Sequence, residues 1–221
     1  MIKINQQQNN QISFRGIKPT IRIGEQAIRE FRMKFPALKS STTTITRILQ
    51  AEALSNTASL VSKMQRLAWR QHGDWCHIQQ FLTANSFDGY IKTILPLIKE
   101  YNVANCGEMT LITQHKLLNQ GIKTNVIRFI IKNKKDRSSI QRLSNDHWFL
   151  VLNMAKDAPY NEPQKWGNKS VIIDPWIKKS SAAREMVEYY KHFFRIDESK
   201  EYLCFEKYDT FDVDGYLNHR Y

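Results

Sequence analysis

The spacing of apolar residues along the first hundred positions is typical of helices. Residues 25–34 carry apolar side chains at a helical period and stop before Pro36. The serine and threonine run at 40–44 offers N-caps, and apolar residues at helical spacing then recur over 45–70. The pattern therefore predicts helices over 25–34 and 45–70.

Two shorter helices are predicted over 75–82 and 90–101, with turn residues at 85–89 between them. Pro96 lies inside the second of these stretches. Because proline is favoured in the first turn of a helix, this helix is expected to begin near Pro96 rather than earlier.

After residue 106 the pattern changes to a mixture of helix and strand periods. The predicted elements are a helix over 108–120, strands over 126–131, 147–153 and 170–174, a helix over 181–194 and a strand over 201–208. Gly121 suits a C-terminal cap of the first helix. The first strand is β-branched and nearly continuous in apolar character, which is typical of a central strand. This order of elements favours an α+β fold in which an antiparallel sheet packs on a helix.

Composition divides the chain into three parts. Residues 1–20 are mostly polar, with a glutamine and asparagine run, and are expected to form a disordered tail because they have little to bury. Residues 21–90 are expected to form a helical N-terminal segment. Residues 91–221 contain the mixed pattern and are expected to form the core that carries the chemistry.

The charge of the chain indicates an acidic partner. Its 33 basic and 21 acidic residues give a formal net charge of +12, which favours association with an acidic protein surface. Nucleic acid is disfavoured as a partner, because the chain has no zinc-finger spacing, basic heptad region or aromatic RNA-binding motif. The densest basic cluster is either a solvated loop or a docking surface for an acidic partner. It consists of Lys132, Lys134, Lys135 and Arg137.

Cysteine usage favours a reducing, cytoplasmic-type environment. The three cysteines, Cys76, Cys106 and Cys204, are too few and of the wrong parity for a disulfide framework. No stretch approaches the roughly 18 apolar residues of a membrane span. The first residues lack the pattern of a secretory signal, so a protein that leaves its cell would need another route. No cofactor is predicted.

The stretch NCGEM at 105–109 places a cysteine where a helical pattern begins. A free thiol has a pKa near 8.5, so only about 3% is ionised at pH 7. The positive end of a helix and a neighbouring imidazolium both favour the thiolate. Cys106 is therefore a candidate nucleophile, whose helix-start amides could hold the oxyanion of a tetrahedral intermediate.

A histidine and an aspartate downstream can complete this site. Of the six histidines, only His147 opens a strong strand pattern after the cysteine helix, and Asp174 ends the next apolar strand. Adjacent antiparallel strands can bring these two side chains together. Asp146 is the rival to Asp174, but neighbouring strand residues point to opposite faces, which favours Asp174. The simpler alternatives are a packing cysteine, a satisfied strand histidine and a turn aspartate before proline.

Other residues near these motifs are candidate parts of the pocket. Asn105 could assist the oxyanion or only cap the helix, and Gly107 permits close approach of the backbone. Trp148 and Trp176 could belong to the core or to the pocket wall. The stretch HGDWCH at 72–77 holds three possible zinc ligands, but no second ligand pair at zinc spacing follows, so no metal site is predicted.

Three stretches together resemble the core of transglutaminase-like proteins within the wider papain-like group. They are CGEMTLITQHKLLNQGIKTNVI, DHWFLVLN and VIIDPW, and the resemblance as a whole covers roughly residues 92–177. Such proteins carry a cysteine at a helix start, a His-Trp strand and a closing Asp-Pro strand. The resemblance implies a transglutaminase-like catalytic core over 91–221, with Cys106 as nucleophile, His147 as general base and acid, and Asp174 orienting the histidine.

The same motifs also resemble cysteine-dependent effectors that bacteria deliver into host cells. This resemblance implies a secreted thiol protease, glutamine deamidase or transglutaminase that acts on protein amides without a cofactor. Gly107 stands where animal transglutaminases usually have tryptophan, and their sandwich domains are lacking, which weakens the case for cross-linking. The alternative is a scaffold without chemistry that binds an acidic protein partner.

Overall fold

The computed structural model describes residues 16–38, 87–101, 104, 106–137 and 146–208. The helices predicted over 45–70 and 75–82 and the HGDWCH stretch lie outside the described residues. So do Asn105 and most of the predicted helical segment 21–90.

One antiparallel sheet organises the described residues, which form an α+β fold as predicted. Its strands are β1 (Asn125–Asn133), β2 (Asp146–Leu152), β3 (Val171–Asp174), β4 (Lys179–Ala182) and β5 (Glu201–Lys207). Their spatial order is β4-β3-β2-β1-β5. The helices are α1 (Ile17–Lys34), α2 (Phe87–Tyr101), α3 (Cys106–Asn119) and α4 (Ala183–Phe193), with a short 3-10 helix at Pro163–Lys165. None of these helices has the length and apolar character needed to cross a membrane.

Both faces of the sheet are covered, which explains the continuous apolar runs of its central strands. On one face α1, α2 and α3 pack against alternate strand residues such as Leu150 and Ile173. On the other face α4 packs against the intervening residues, among them Phe149 and Ile172. Strand residues alternate between faces, so a strand covered on both sides is apolar at nearly every position. All four residues of β3 are buried.

Pro96 does not start its helix, which corrects the prediction made from the sequence. It lies inside α2, which begins at Phe87. Phe87, Ile91 and Ile94 precede the proline at helical spacing and are buried in the core shared with α3. This packing holds a regular helix before Pro96, while the ring of Pro96 itself is exposed.

Two further elements differ from the sequence prediction at their boundaries. α1 starts at Ile17, so it takes in residues that were assigned to the polar tail. Its Pro19 falls in the first turn, where the lost N–H has no intrahelical partner. β4 was not predicted as a strand, because its sequence KSSA is polar and half-buried, as suits an edge strand.

The strand register brings the start of β2 and the end of β3 to the same end of the sheet. Leu150 pairs with Ile173, and Leu152 pairs with Val171. The same register, continued, sets Asp174 beside Phe149, two residues from His147. Residues two apart on a strand share a face, so His147 and Asp174 both point toward α4.

Gly24 lets α1 lie directly on the sheet, and its replacement by alanine is expected to destabilise the protein. A Cβ at this position would stand 2.8 Å from Ile173 Cγ1 and would also collide with Ser180 Oγ. We expect Gly24→Ala to lower the free energy of unfolding by about 1–3 kcal/mol, although alanine alone would favour the helix. Urea unfolding measures this change.

Gly107→Ala is the matched control for Gly24→Ala. Its added Cβ would make only ordinary contact, 3.5 Å from Trp148 Cε3. Equal unfolding free energies for the two variants would contradict the close approach of α1 to β3 and β4.

Candidate active site

His147 and Asp174 form a buried hydrogen-bonded pair at the end of the sheet. His147 Nε2 lies 2.6 Å from Asp174 Oδ2. Only 1% of His147 and 0% of Asp174 is exposed. A buried carboxylate and imidazole at this distance form a charge-assisted hydrogen bond.

Every other acceptor position of the Asp174 carboxylate is also occupied by a hydrogen-bond donor. Oδ1 accepts the backbone N–H groups of Trp176 at 3.0 Å and Ile177 at 2.9 Å. Oδ2 accepts the hydroxyl of Tyr190, which lies on α4, at 2.8 Å. The turn after β3 and the helix α4 therefore fix both oxygens. A carboxylate bound in this way cannot rotate away from His147.

Aromatic rings enclose the imidazole of His147, four of them from the α4 layer and the fifth, Trp176, packed against the core on the other side. Their centroids lie between 4.9 and 6.3 Å from that of the imidazole, and they belong to Phe129, Phe149, Trp176, Tyr190 and Phe194. Such a wall excludes water, and charges interact more strongly where water is excluded.

Opposing effects set the charge of His147. Burial lowers the pKa of the imidazole, whereas the Asp174 carboxylate raises it by its charge and its hydrogen bond, and Cys106 raises it further in the same two ways. The net result raises the pKa of His147 from 6.5 to about 10. His147 is therefore an imidazolium at neutral pH, held between a carboxylate and a thiol.

Cys106 reaches His147 from the opposite layer of the fold. It is the first residue of α3 and is half-buried, and it lies close enough to His147 to raise the pKa of the imidazole by its charge and by side-chain hydrogen bonding. Because Asp174 occupies Nε2, the ring nitrogen left to pair with the sulfur is Nδ1. The sheet end thus joins a thiol, an imidazolium and a carboxylate in sequence.

The start of α3 is held on β2 by one hydrogen bond and one aromatic contact. Thr110 Oγ1 donates to the backbone oxygen of Trp148 at 3.1 Å. Gly107 lies over the Trp148 ring, with room for ordinary contact. Trp148 points away from His147, as strand alternation requires, and its ring centroid is 3.8 Å from that of Tyr208. These contacts fix the position of Cys106 relative to the strand that carries His147.

A second group of polar side chains borders this start of α3. Burial raises the pKa of Tyr90 well above its ordinary value, and the charges of Glu108 and Tyr208 add to the effect. Tyr90 of α2 is therefore near both Glu108, which follows Cys106 by two residues on α3, and Tyr208.

The structure brings Cys106, His147 and Asp174 together, and Trp176 lies against His147. Trp148 and Gly107 contact each other on the α3 side. Asp146, the rival carboxylate, opens β2 opposite Ile130 and is only half-buried. No group of three or more potential metal ligands occurs within the described ranges.

The sequence did not identify Tyr190 as a site residue, although its hydroxyl donates a hydrogen bond to the Asp174 carboxylate. The available signal was the buried stripe of α4, formed by Ala183, Met186, Val187 and Tyr190 at helical spacing. The pattern of this stripe places Tyr190 on the buried face of α4 and leaves its neighbour Tyr189 off that face. It does not indicate that the hydroxyl of Tyr190 has a carboxylate to bind.

The basic cluster predicted as a loop or a docking surface begins at Lys132 in β1 and continues past the end of that strand, at this same end of the sheet. Lys132 Nζ is 3.9 Å from Glu206 Oε1, and Lys134 Nζ donates to the backbone oxygen of Glu198. Lys135 and Arg137 are exposed. The cluster is therefore partly engaged within the fold, and its outer members face solvent.

Tyr190→Phe tests the hydrogen bond to Asp174. Phenylalanine keeps the packing but removes one donor from a buried carboxylate, so we expect a loss of about 1–3 kcal/mol in the free energy of unfolding. Tyr189→Phe, one residue earlier on the half-buried flank of α4, is the matched control and should change stability by less than about 0.5 kcal/mol. Equal losses in the two variants, measured by urea unfolding, would contradict the assigned bond.

Comparison with known proteins identifies no relative of this chain. No family model, curated protein or solved structure matches the chain. The functional interpretation therefore depends on the chemistry of Cys106, His147 and Asp174 themselves.

Proposed function

We propose that this protein is a cysteine-dependent acyl-transfer enzyme that acts on protein amides. One observation carries the proposal: a buried histidine is hydrogen-bonded to a fully satisfied aspartate, and a cysteine at the start of a helix lies beside it and raises its pKa. A histidine that only stabilised the fold would need no thiol on its second nitrogen. We also propose that the cysteine helix and sheet form a papain-like, transglutaminase-like core.

In the first half of the proposed reaction, the thiolate of Cys106 attacks the carbonyl carbon of an amide. The C–N bond then breaks, and the imidazolium of His147 gives its proton to the departing ammonia or amine. The product is a thioester on Cys106. The imidazolium favours the thiolate before attack, since opposite charges in a dry site stabilise each other.

The second half resolves the thioester. Neutral His147 removes a proton from water or from an amine, which attacks the thioester carbonyl and expels the thiolate of Cys106. Water gives hydrolysis, by deamidation of glutamine or cleavage of a peptide bond, whereas an amine gives transamidation. These reactions share the first half, so the acceptor and the pocket distinguish them.

The remaining groups hold this chemistry in place. Asp174 orients the imidazole and balances its charge, with help from Tyr190. The first N–H groups of α3 have no intrahelical partner, so they are the proposed donors to the oxyanion that forms beside Cys106. Asn105 stays a candidate for the same task or for the helix cap.

The proposed substrate is a protein with an acidic surface, in keeping with the net charge of +12. A reducing compartment, such as the cytosol of a host cell into which the protein is delivered, would keep Cys106 as a free thiol. The alternative, a scaffold without chemistry, makes the opposite prediction for the reactivity of this cysteine. If the protein instead bound nucleic acid through charge alone, its affinity for nucleic acid would fall steeply as the salt concentration rises.

The pH dependence of Cys106 alkylation tests the ion pair. We expect the rate with iodoacetamide to fall less steeply below pH 8 in wild type than in His147→Ala, because an imidazolium with a pKa of about 10 stays charged throughout this range and favours the thiolate beside it. In His147→Ala the rate should fall about tenfold for each pH unit below about 8, as for an ordinary thiol. Asp174→Asn should bring the profile closer to that of His147→Ala, because its imidazole keeps the cost of burial without the carboxylate.

Cys204, a half-buried free cysteine on β5, serves as an internal comparison when each site is followed by peptide mass spectrometry. Identical profiles for Cys106 in wild type and His147→Ala would favour the scaffold without chemistry.

Treatment of a cell lysate tests the reaction itself. Wild-type protein should produce glutamine-to-glutamate conversion, a new peptide end or a new amide cross-link in a defined set of proteins. Cys106→Ser should lower the rate by about a thousandfold or more, because loss of a triad member removes most of the catalysis. Proteomic comparison of the two treatments makes the measurement. Modified proteins that are equally abundant with Cys106→Ser would exclude this mechanism.

A further inference from the structure

A row of aromatic rings leads from His147 to the protein surface. The Trp176 ring lies 4.9 Å from the imidazole and 5.9 Å from the ring of Phe193, between centroids. Phe193 in turn stacks on Tyr189 at 5.8 Å. Exposure rises from 1% at His147 to 43% at Phe193. Trp176, Phe193 and Tyr189, called the aromatic row below, therefore connect the reactive site with solvent.

The exposure of Phe193 is unusual for the described part of this chain. Only Met33 and Phe193 are large hydrophobic residues with exposed side chains there. Met33 lies on α1, whereas Phe193 touches three other rings, those of Trp176, Tyr189 and Phe194. An apolar patch beside a polar site commonly binds a partner. Its position next to His147 makes the substrate the natural candidate.

Positive charges surround the aromatic row. Lys179 Nζ lies 3.9 Å from the centroid of the Tyr189 ring. Lys178, two residues after Trp176, and Arg195, two residues after Phe193, are both exposed.

The carboxylates of α4 near this row are already engaged. Glu185 accepts the Ser181 hydroxyl at 2.5 Å, and Glu188 pairs with Lys191 at 3.0 Å. Lys178, Lys179 and Arg195 outnumber these two carboxylates, so the surface beside the row favours an anionic partner.

The row also follows the order of the strands. His147 lies on β2, Trp176 follows β3, and Lys179 begins the edge strand β4, where it is the backbone partner of Asp174 in the strand register. A peptide crossing the end of the sheet in this direction would pass from the reactive sulfur to the basic rim. Its side chains would meet the rings first and the lysines afterwards.

We propose that the aromatic row binds an acidic segment of the protein substrate that carries an aromatic side chain beside the reactive amide. The inference rests on the proposed function, since it places this segment next to the thioester. Phe193 and Trp176 receive the aromatic side chain, and Lys178, Lys179 and Arg195 attract the acidic residues. Phe193 is thus a specificity-determining residue that takes no part in bond making.

Three chloroacetyl tripeptide amides probe this surface without a known substrate. Their sequences are Phe-Glu-Glu, Ser-Glu-Glu and Phe-Lys-Lys, and each alkylates Cys106 when the thiolate displaces chloride. For wild-type protein we expect Phe-Glu-Glu to react about tenfold faster than Ser-Glu-Glu, which corresponds to burial of one aromatic ring. It should also react severalfold faster than Phe-Lys-Lys, and this second ratio should shrink as salt is added.

Variants assign each ratio to its residues. Phe193→Ser should bring the ratio of Phe-Glu-Glu to Ser-Glu-Glu close to one, and Phe193→Leu should leave an intermediate value. The double variant Lys178→Glu, Arg195→Glu should abolish the preference for acidic probes. Met33→Ser, which removes the other exposed apolar side chain, should keep both ratios. Ratios that do not change with Phe193→Ser would overturn the inference.

Two other occupants of the row predict different results. A second copy of the chain would give a wild-type dimer that Phe193→Ser converts to monomer in sedimentation. A segment of the same chain would give no discrimination among the probes and a loss of stability in Phe193→Ser. Either result would overturn the inference.

Failure of the inference differs from failure of the proposed function. If iodoacetamide labels Cys106 as slowly in wild type as in His147→Ala, the enzyme proposal fails and the inference fails with it. If the ion pair is present but the three probes react equally, only the aromatic row loses its role.

Discussion

The contact between Asp174 and His147 is the interaction on which the rest of the site depends. Burial by itself would remove the proton from the imidazole, and the carboxylate reverses this outcome. A buried ion pair is a poor source of stability, because the cost of desolvation commonly matches the attraction. Its presence inside a wall of aromatic rings is therefore better explained by chemistry than by folding.

The sheet makes this interaction possible by joining two layers that do not otherwise meet. α3 and Cys106 belong to the layer with α1 and α2, whereas His147, Asp174 and Tyr190 belong to the layer with α4. Strand alternation sends His147 and Trp148 to opposite faces, so one strand contacts both layers with successive residues. Cys106 can reach His147 only at the end of the sheet, where no further strand residues separate the layers.

Much of this arrangement could be predicted from the sequence, because the residues involved belong to strongly patterned elements. β1, β2 and β3 contain nearly continuous apolar runs, because both faces of the sheet are covered, and these runs place His147 and Asp174 at recognisable strand ends. β4 is a polar edge strand and carries no such pattern. The start of α1 was missed because Thr20 and Gly24 are buried by their fit against the sheet rather than by apolar side chains.

The site residues likewise differ in how far the sequence alone could identify them. Cys106 was recognisable from the helix and glycine that follow it, and His147 from the strand that it opens. Tyr190 could be placed on the buried face of α4, but its bond to Asp174 depends on the distance between α4 and β3. Periodicity indicates which way a side chain points and not what it meets. The role of Phe193 is hidden for the same reason, since its neighbour Trp176 lies in another element.

The division of the site between two layers has a consequence for the chain before it is folded. Without α4 in place, His147 would lose its aromatic cover and the hydroxyl that helps to anchor its carboxylate, and its pKa would return toward the ordinary 6.5. Under the proposed function, Cys106 would then lose the imidazolium that favours its thiolate, so the reactivity proposed for it depends on α4 being packed on the sheet.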